Sequence, residues 1–330
     1  MKYHADLVDK EAMALNVANT QSLLDKLEAD KLENLERVER EEKSETEKQF
    51  QAILTRLQID DSDQSALWEG LLGNLDFEGT CSWVLKHDKV ASWLRDKGDV
   101  RSLWLHGSAG SGKSVISAYL AKFRAGGERM VVRHFCNSLY DSSTKYETIL
   151  KSIIRQLLQW SDNSTAYLHR ALIAEKKILP TSALEIAVQQ LVTIVSGSFQ
   201  ERGLVWIILD GLDACERRDL ARLVGLMDAI TSKETDSGLP ACKVLFSSRS
   251  APERKRTVVF LGNEKRHIQD SIRLYTTQRL QSSPLCDRLG QIGIGTSELV
   301  ELGNDIARKA DGLFRVSSKS MASFADNGTN

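Results

Sequence analysis

Gly107-Ser108-Ala109-Gly110-Ser111-Gly112-Lys113-Ser114 satisfies the pattern GxxxxGKS at every fixed position. Its glycines free backbone N–H groups to wrap a triphosphate, the Lys113 ammonium can reach the β- and γ-phosphates, and the Ser114 hydroxyl can ligate Mg²⁺. The chemistry implied is binding of ATP or GTP with Mg²⁺; the bland alternative is a glycine-rich turn with no ligand. What happens to the γ-phosphate depends on further groups. Leu204-Val205-Trp206-Ile207-Ile208-Leu209-Asp210 is an apolar run ending in an aspartate, ninety-seven residues after Lys113. A carboxylate there would hold Mg²⁺ through its water shell. Asp213, three residues on, could orient or deprotonate the attacking water, or merely cap the next helix. Lys243-Val244-Leu245-Phe246 runs into Ser247-Ser248-Arg249. The Arg249 guanidinium at that position could pair bidentately with a γ-phosphate and so distinguish triphosphate from diphosphate; otherwise it is a surface arginine.

Positioning these groups requires strands that end where the ligand sits. Leu103 to Leu105 reads as a short strand before the glycine-rich loop, and Val115 to Phe123 as the helix after it, whose N-terminus adds its dipole to the phosphate site. Met130 to Phe135, Leu204 to Leu209, Lys243 to Phe246 and a weaker Thr257 to Leu261 read as further strands. Tyr146 to Gln159, Leu184 to Phe199, Ser271 to Gln281 and Glu298 to Ala310 read as helices. Strands alternating with helices of this length predict an α/β fold: a mostly parallel sheet with helices on both faces, in three α/β/α layers. Trp83, Val84, Leu85, Val90, Trp93 and Leu94 read as one helical segment leading into it, with both tryptophans expected in the core.

Upstream, residues 1 to about 58 contain neither glycine nor proline, and between Asp25 and Lys48 sixteen of twenty-four residues are charged. Glu33/Arg37, Glu36/Arg40 and Glu39/Lys43 stand at the spacing that supports a solvated helix. Apolar residues at Leu23, Leu24, Leu27, Leu32, Leu35 and Val38 offer a stripe for self-association or a protein partner, whereas Glu39 to Gln49 has no apolar residue to carry a heptad seam. The alternatives are a coiled coil and a solvated helical spacer. Asp60 to Ser65 is a polar break, after which Trp68, Leu71, Leu72, Leu75 and Phe77 could dock on the following domain. The boundaries expected are 1–60 charged helix, 61–100 linker and leading helix, 101–265 nucleotide-binding core, 266–316 partial helical subdomain and 317–330 disordered tail.

The 330 residues are 42% hydrophobic and 27% charged, with net charge -1, which excludes global steering toward nucleic acid or an anionic membrane. Arg254-Lys255-Arg256 is expected to be a solvated loop, so nucleic acid is not favoured as a partner. The five cysteines, Cys81, Cys136, Cys215, Cys242 and Cys286, are odd in number and form no CxxC pair, which suggests neither a disulfide framework nor a zinc site. No apolar run approaches the length of a membrane span, and the expected location is cytoplasmic.

Taken together, the motifs resemble the NACHT branch of the STAND NTPases, most of all the nephrocystin-type NACHT modules common in fungal NOD-like receptor proteins. Gly79-Thr80-Cys81-Ser82-Trp83 with Trp93-Leu94 resembles that family's leading motif, Leu103 to Ser114 its phosphate loop, Ile207 to Cys215 its acidic motif and Lys243 to Arg249 its sensor strand. Lys309-Ala310-Asp311-Gly312-Leu313-Phe314 is more weakly similar to the segment ending its helical subdomain. The resemblance implies a slow nucleotide switch in which Lys113 neutralises phosphate charge, Ser114 and Asp210 hold Mg²⁺, Asp213 positions water and Arg249 reads the γ-phosphate. Ala214 stands where the family usually has a glutamate, which implies slow or impaired hydrolysis. With no winged helix or repeat array after Phe314, the chain resembles a receptor core without its sensor half, as a truncated gene product would. Two other readings stay open: a scaffold acting through its N-terminal helix with a structural nucleotide site, and a housekeeping P-loop ATPase.

Overall fold

The structure, a computed structural model, describes residues 2–75, 79–126, 129–174, 180–198, 204–234, 238, 240–253, 255–282 and 295–310. The expectations for Phe77, Cys286, Asp311 to Phe314 and the 317–330 tail lie outside them. The chain divides into two compact units, Met1–Ile53 and Leu54–Asn330. Helix α1, Lys2–Leu57, is a single uninterrupted helix, as a stretch free of glycine and proline permits. Of the three charge pairs along it, Glu39–Lys43 closes at 3.0 Å, while Arg40 donates to the Glu36 carbonyl and Arg37 to the Asn34 side chain.

The second unit is built on five parallel strands: β1 Ser102–His106, β2 Met130–Phe135, β3 Val205–Asp210, β4 Cys242–Ser248 and β5 Thr257–Phe260, in the order β2-β3-β4-β1-β5. Strands β3 and β4 are buried along their whole length, which is why they read in sequence as continuous apolar runs rather than alternating ones. Strand β4 extends beyond the expected Lys243–Phe246 at both ends.

Helices cover both faces, giving three layers. On one face α4 (Asp88–Leu94) and α5 (Lys113–Ala125) pack over Leu103, Leu105, Trp206, Ile208 and Leu245, with Ile268 and Ile272 of α10 (Lys265–Ser282) and Ala307 and Ala310 of α11 (Thr296–Ala310) joining the same core. On the other, α6 (Tyr146–Leu158) lies on β2, α8 (Thr181–Ser198) on β3 and α9 (Arg217–Thr231) on β4, with α7 (Asp162–Ala174) against α6 and α8. Helix α2 (Ser62–Leu75) packs on α5 and β2; Trp68 and Leu75 reach the core as expected, and Trp68 stacks on Phe135.

Four sequence-based expectations change. The segment Trp83 to Leu94 is two helices, α3 (Trp83–Lys86) and α4, because His87 is extended (φ -69°, ψ 122°) and its ring accepts the Lys89 N–H. Of its tryptophans, Trp93 is fully buried edge-on to Trp206, while Trp83 is only partly buried and stacks on His267. Helices α7 and α9 are additions to the expected elements. Arg256 is not solvated: it lies over the Phe246 ring and pairs with Asp228 at 2.6 Å.

The sheet's far end is fastened by Lys243, a fully buried lysine whose Nζ donates to the Trp93 carbonyl at 3.0 Å and to the Arg95 carbonyl. It satisfies acceptors left over at the C-terminal end of α4. Burial, opposed by Asp96, pulls its ammonium down to about 8.

Candidate functional site

The strand order decides what can meet. Because β4 lies between β1 and β3, the C-terminal ends of these three strands stand side by side, and they carry the glycine-rich loop, Arg249 and Asp210. The chain leaves β1 toward β2 and leaves β4 in the opposite direction toward β5; parallel sheets open their ligand crevices where connections diverge in this way.

The loop after β1 is shaped by its glycines. Gly110 (φ 81°) and Gly112 (φ 88°) occupy the left-handed region, and Gly112 caps α5, so the backbone turns through conformations that other residues adopt only under strain. A Cβ at Gly107 would meet Ser111 Oγ at 2.7 Å. Ser108 and Ala109 are exposed at the crest, while Ser111 is buried and donates its hydroxyl to the Ser108 carbonyl at 2.9 Å. Lys113, first residue of α5, folds back across the loop and donates to the carbonyls of Gly107 (2.9 Å) and Ser108 (2.8 Å). Burial lowers its pKa; Asp213 and Asp210 act against that shift, and Arg249 adds to it.

Asp210 ends β3 and is 2% exposed. Ser117, one turn along α5 from Ser114, donates to its Oδ1 at 2.9 Å. Burial raises the carboxyl's pKa, opposed by the hydroxyls of Ser114 and Ser117 and by the Lys113 ammonium. The two residues expected to share a metal, Ser114 and Asp210, are therefore brought together. Ser117 is an addition to the expected set; its signal in the sequence is the i,i+3 spacing from Ser114, which puts both hydroxyls on one face of α5.

Asp213 sits on a single 3-10 turn, Leu212–Ala214, entered through Gly211 (φ 72°). Its Oδ1 accepts the Arg249 backbone N–H at 2.8 Å and its Oδ2 accepts the Arg249 Nε–H. The Arg249 carbonyl lies 3.0 Å from His106 Nε2, so that nitrogen carries the proton. Arg249 is thus held on one side by the end of β1 and on the other by the turn after β3. The expected site residues stand at the C-terminal ends of the adjacent strands β1, β4 and β3, near enough for Asp213, Asp210 and Arg249 to act on the Lys113 ammonium, with Asp213 and Arg249 engaged with each other. Beside them lies a cavity of about 450 Å³, lined by Asp213, Cys215, Leu220, Val224, Ser250 and Arg256 among others.

Fold and site define an α/β protein with a glycine-rich loop, two acidic positions and an arginine at adjacent ends of a five-stranded parallel sheet. The family described as Nephrocystin 3, N-terminal matches residues 79–249, more than half of the chain, and the protein belongs to that family. No curated protein matches it. Among solved structures it is similar to Caenorhabditis elegans PCH-2, at 14% identity and TM-score 0.36 over 82% of this chain and 64% of that one. It is also similar to a chain of the Escherichia coli MS115-1 HORMA:CdnC:Trip13 complex, at 13% identity and TM-score 0.31 over 78% of this chain and 76% of that one. The chain thus spans just under two thirds of the length of PCH-2. Among the described residues no helix is long and apolar enough to cross a membrane.

Proposed function

We propose that the protein is a nucleoside-triphosphate-dependent switch of the NACHT type, binding ATP or GTP with Mg²⁺ and turning it over slowly. The observation that carries this reading is the meeting of Lys113, Ser114, Asp210, Asp213 and Arg249 at three adjacent strand ends. The donors fit a magnesium nucleotide: a buried carboxylate faced by hydroxyls, a left-handed glycine backbone, and an ammonium held over the loop by two carbonyls. Ser114 Oγ and Asp210 would hold the metal, which when bound supplies positive charge against the phosphate oxygens. Lys113 would exchange its loop carbonyls for phosphate oxygens, and the N–H groups of residues 110 to 114 would donate to the same anion.

Asp213 and Arg249 make the state-dependent pair. A γ-phosphate would compete with Asp213 for the guanidinium; hydrolysis would return Arg249 to Asp213. Ala214, where the motif family usually has a glutamate, leaves Asp213 as the carboxylate on that turn, consistent with slow turnover. The output, in the manner of NOD-like receptor modules, would be self-association or partner binding through α1. In its favour, Leu27, Leu32, Leu35 and Val38 are between 47% and 64% exposed on that helix.

The test is binding of labelled ATP, ADP, GTP and GDP with Mg²⁺ to the purified chain, followed by single-turnover hydrolysis and light-scattering mass in each state. Tight triphosphate binding, slow turnover and a nucleotide-dependent mass are expected. Absence of binding to all four would refute the reading.

A further inference from the structure

We propose that Cys136 and Cys215 are a redox-modification site, closing to a disulfide when a hydroperoxide reacts with Cys215 and reopening with a small thiol. The two residues are 79 positions apart, yet the sulfurs stand 3.5 Å from each other as a hydrogen-bonded thiol pair. Two backbone features keep them there. The Cys136 N–H donates to the Asp210 carbonyl at 2.9 Å, extending the β2-β3 ladder by one bond past Phe135. Gly211 then turns so closely over Cys136 that a Cβ on it would lie 2.2 Å from the Cys136 carbonyl oxygen, which brings the turn ending at Cys215 onto the end of β2. A disulfide needs the sulfurs at about 2.05 Å, a closure on the order of 1.5 Å from where they stand.

Reactivity is divided between them in the order a dithiol switch needs. Cys215 is partly exposed and lines the 450 Å³ cavity, so a small oxidant has a route to it, whereas Cys136 is buried behind it. The hydrogen bond that the two sulfurs share lowers the Cys215 pKa. Cys81 and Cys242, the other cysteines among the described residues, are buried with thiols pushed up, Cys81 to about 11, so neither competes as a thiolate.

The Cys215 thiolate attacks one oxygen of the hydroperoxide. The O–O bond breaks, the departing hydroxide takes a proton to leave as water (or an alcohol, from an alkyl peroxide), and Cys215 is left as the sulfenic acid. The Cys136 sulfur then attacks the Cys215 sulfur; the S–O bond breaks, the S–S bond forms, and the leaving hydroxide is protonated by the Cys136 proton. Two thiols lose two electrons and the peroxide gains them. Two equivalents of a small thiol reverse the reaction by becoming its own disulfide. The bond would tie the turn that carries Asp213 covalently to the end of β2. The chemistry of the pair stands whether or not the crevice binds nucleotide; only its effect on a nucleotide switch rests on that reading.

The experiment uses the full chain with Cys286→Ser, which removes the thiol outside the described residues. The protein is exposed to a few equivalents of hydrogen peroxide, alkylated, digested without reductant and mapped by mass spectrometry, with no nucleotide present. A Cys136–Cys215 cross-linked peptide, the loss of two alkylatable thiols per chain and their return with dithiothreitol are expected. In the Cys136→Ser variant, Cys215 should instead be trapped by dimedone as the sulfenic acid. Full alkylation of both residues after peroxide, or oxidation of Cys215 beyond the sulfenic state without a cross-link in the unsubstituted pair, would overturn the proposal.

Discussion

Asp213 accepts two hydrogen bonds from Arg249, one from its backbone N–H at 2.8 Å and one from its guanidinium Nε. The carboxylate sits on the turn after β3 and the arginine follows β4, so one contact joins the ends of these two neighbouring strands directly. The backbone bond fixes where Arg249 stands; the guanidinium bond is the part that can be exchanged. The arginine side chain is 55% exposed and its partner 16%, so the guanidinium can turn outward to a ligand while the mostly buried carboxylate keeps the Arg249 backbone N–H.

Arg249→Ala should therefore leave the fold intact and remove discrimination between nucleotides. The pair's loss should cost on the order of 1 to 2 kcal/mol of stability, since the guanidinium is exposed but the carboxylate is mostly covered and keeps one backbone N–H. The triphosphate should lose roughly tenfold or more in affinity, the scale of a hydrogen bond between charged groups, while diphosphate binding stays level. Calorimetric titration of ATP and ADP into both proteins measures this. An unchanged ATP-to-ADP ratio would return Arg249 to a surface role.

Lys113→Ala tests the loop itself. The ammonium is already placed over Gly107 and Ser108 by two hydrogen bonds of 2.9 and 2.8 Å, so little ordering remains to be done when a phosphate arrives. Its removal should weaken both di- and triphosphate binding by roughly a hundredfold, about 3 kcal/mol, through lost charge-assisted bonds. Wild-type affinity in the variant, with a wild-type circular dichroism spectrum, would remove the loop from the site.

What can be read in the sequence follows from burial. Strands β1, β3 and β4 announce themselves because both faces are covered, and the glycine loop because left-handed positions restrict residue choice. Helix α9 carries a readable stripe, Leu220, Leu223, Met227 and Ile230, although it lies between two stronger motifs that mask it. The contacts Asp213–Arg249 and Cys136–Cys215 are not readable at all. They depend on which strands are neighbours, and an apolar run fixes a strand's burial without fixing its place in the sheet. Arg256 shows the same limit from the other side: a basic run reads as solvated unless Phe246 and Asp228 are known to be beside it.

Gly211→Ala should be among the most damaging single changes outside the hydrophobic core. The position combines φ 72° with a lack of room for any side chain: an added Cβ would stand 2.2 Å from the Cys136 carbonyl oxygen, a backbone clash that no side-chain rotation relieves. A cost of about 2 to 4 kcal/mol is expected. Gly225→Ala, in the exposed interior of α9 with nothing within 4 Å of the added carbon, should instead stabilise by up to about 1 kcal/mol. Urea unfolding of the two variants should show midpoints moving in opposite directions; a shared direction would place the Gly211 turn differently from the structure.

Acid should loosen the sheet through His134. This β2 residue is fully buried, its Nε2 bonds the Ser143 carbonyl at 2.8 Å, and its Nδ1 has no hydrogen-bond partner among the described residues. Burial, only partly offset by the Ser143 bond, pulls its pKa from 6.5 to about 4. Above pH 6.5 the ring is neutral in both folded and unfolded chains and costs nothing. As pH falls from 6.5 to 4 the unfolded chain takes up the proton first, so stability drops across that window, by about 3 kcal/mol at its end. His134→Phe forfeits the Ser143 bond at every pH but removes the titration. Its stability, measured by urea unfolding between pH 7 and pH 4, should fall less steeply than that of the wild type. Parallel curves for the two proteins would mean that other groups drive the acid limb and that the imidazole is protonated without cost in the folded sheet.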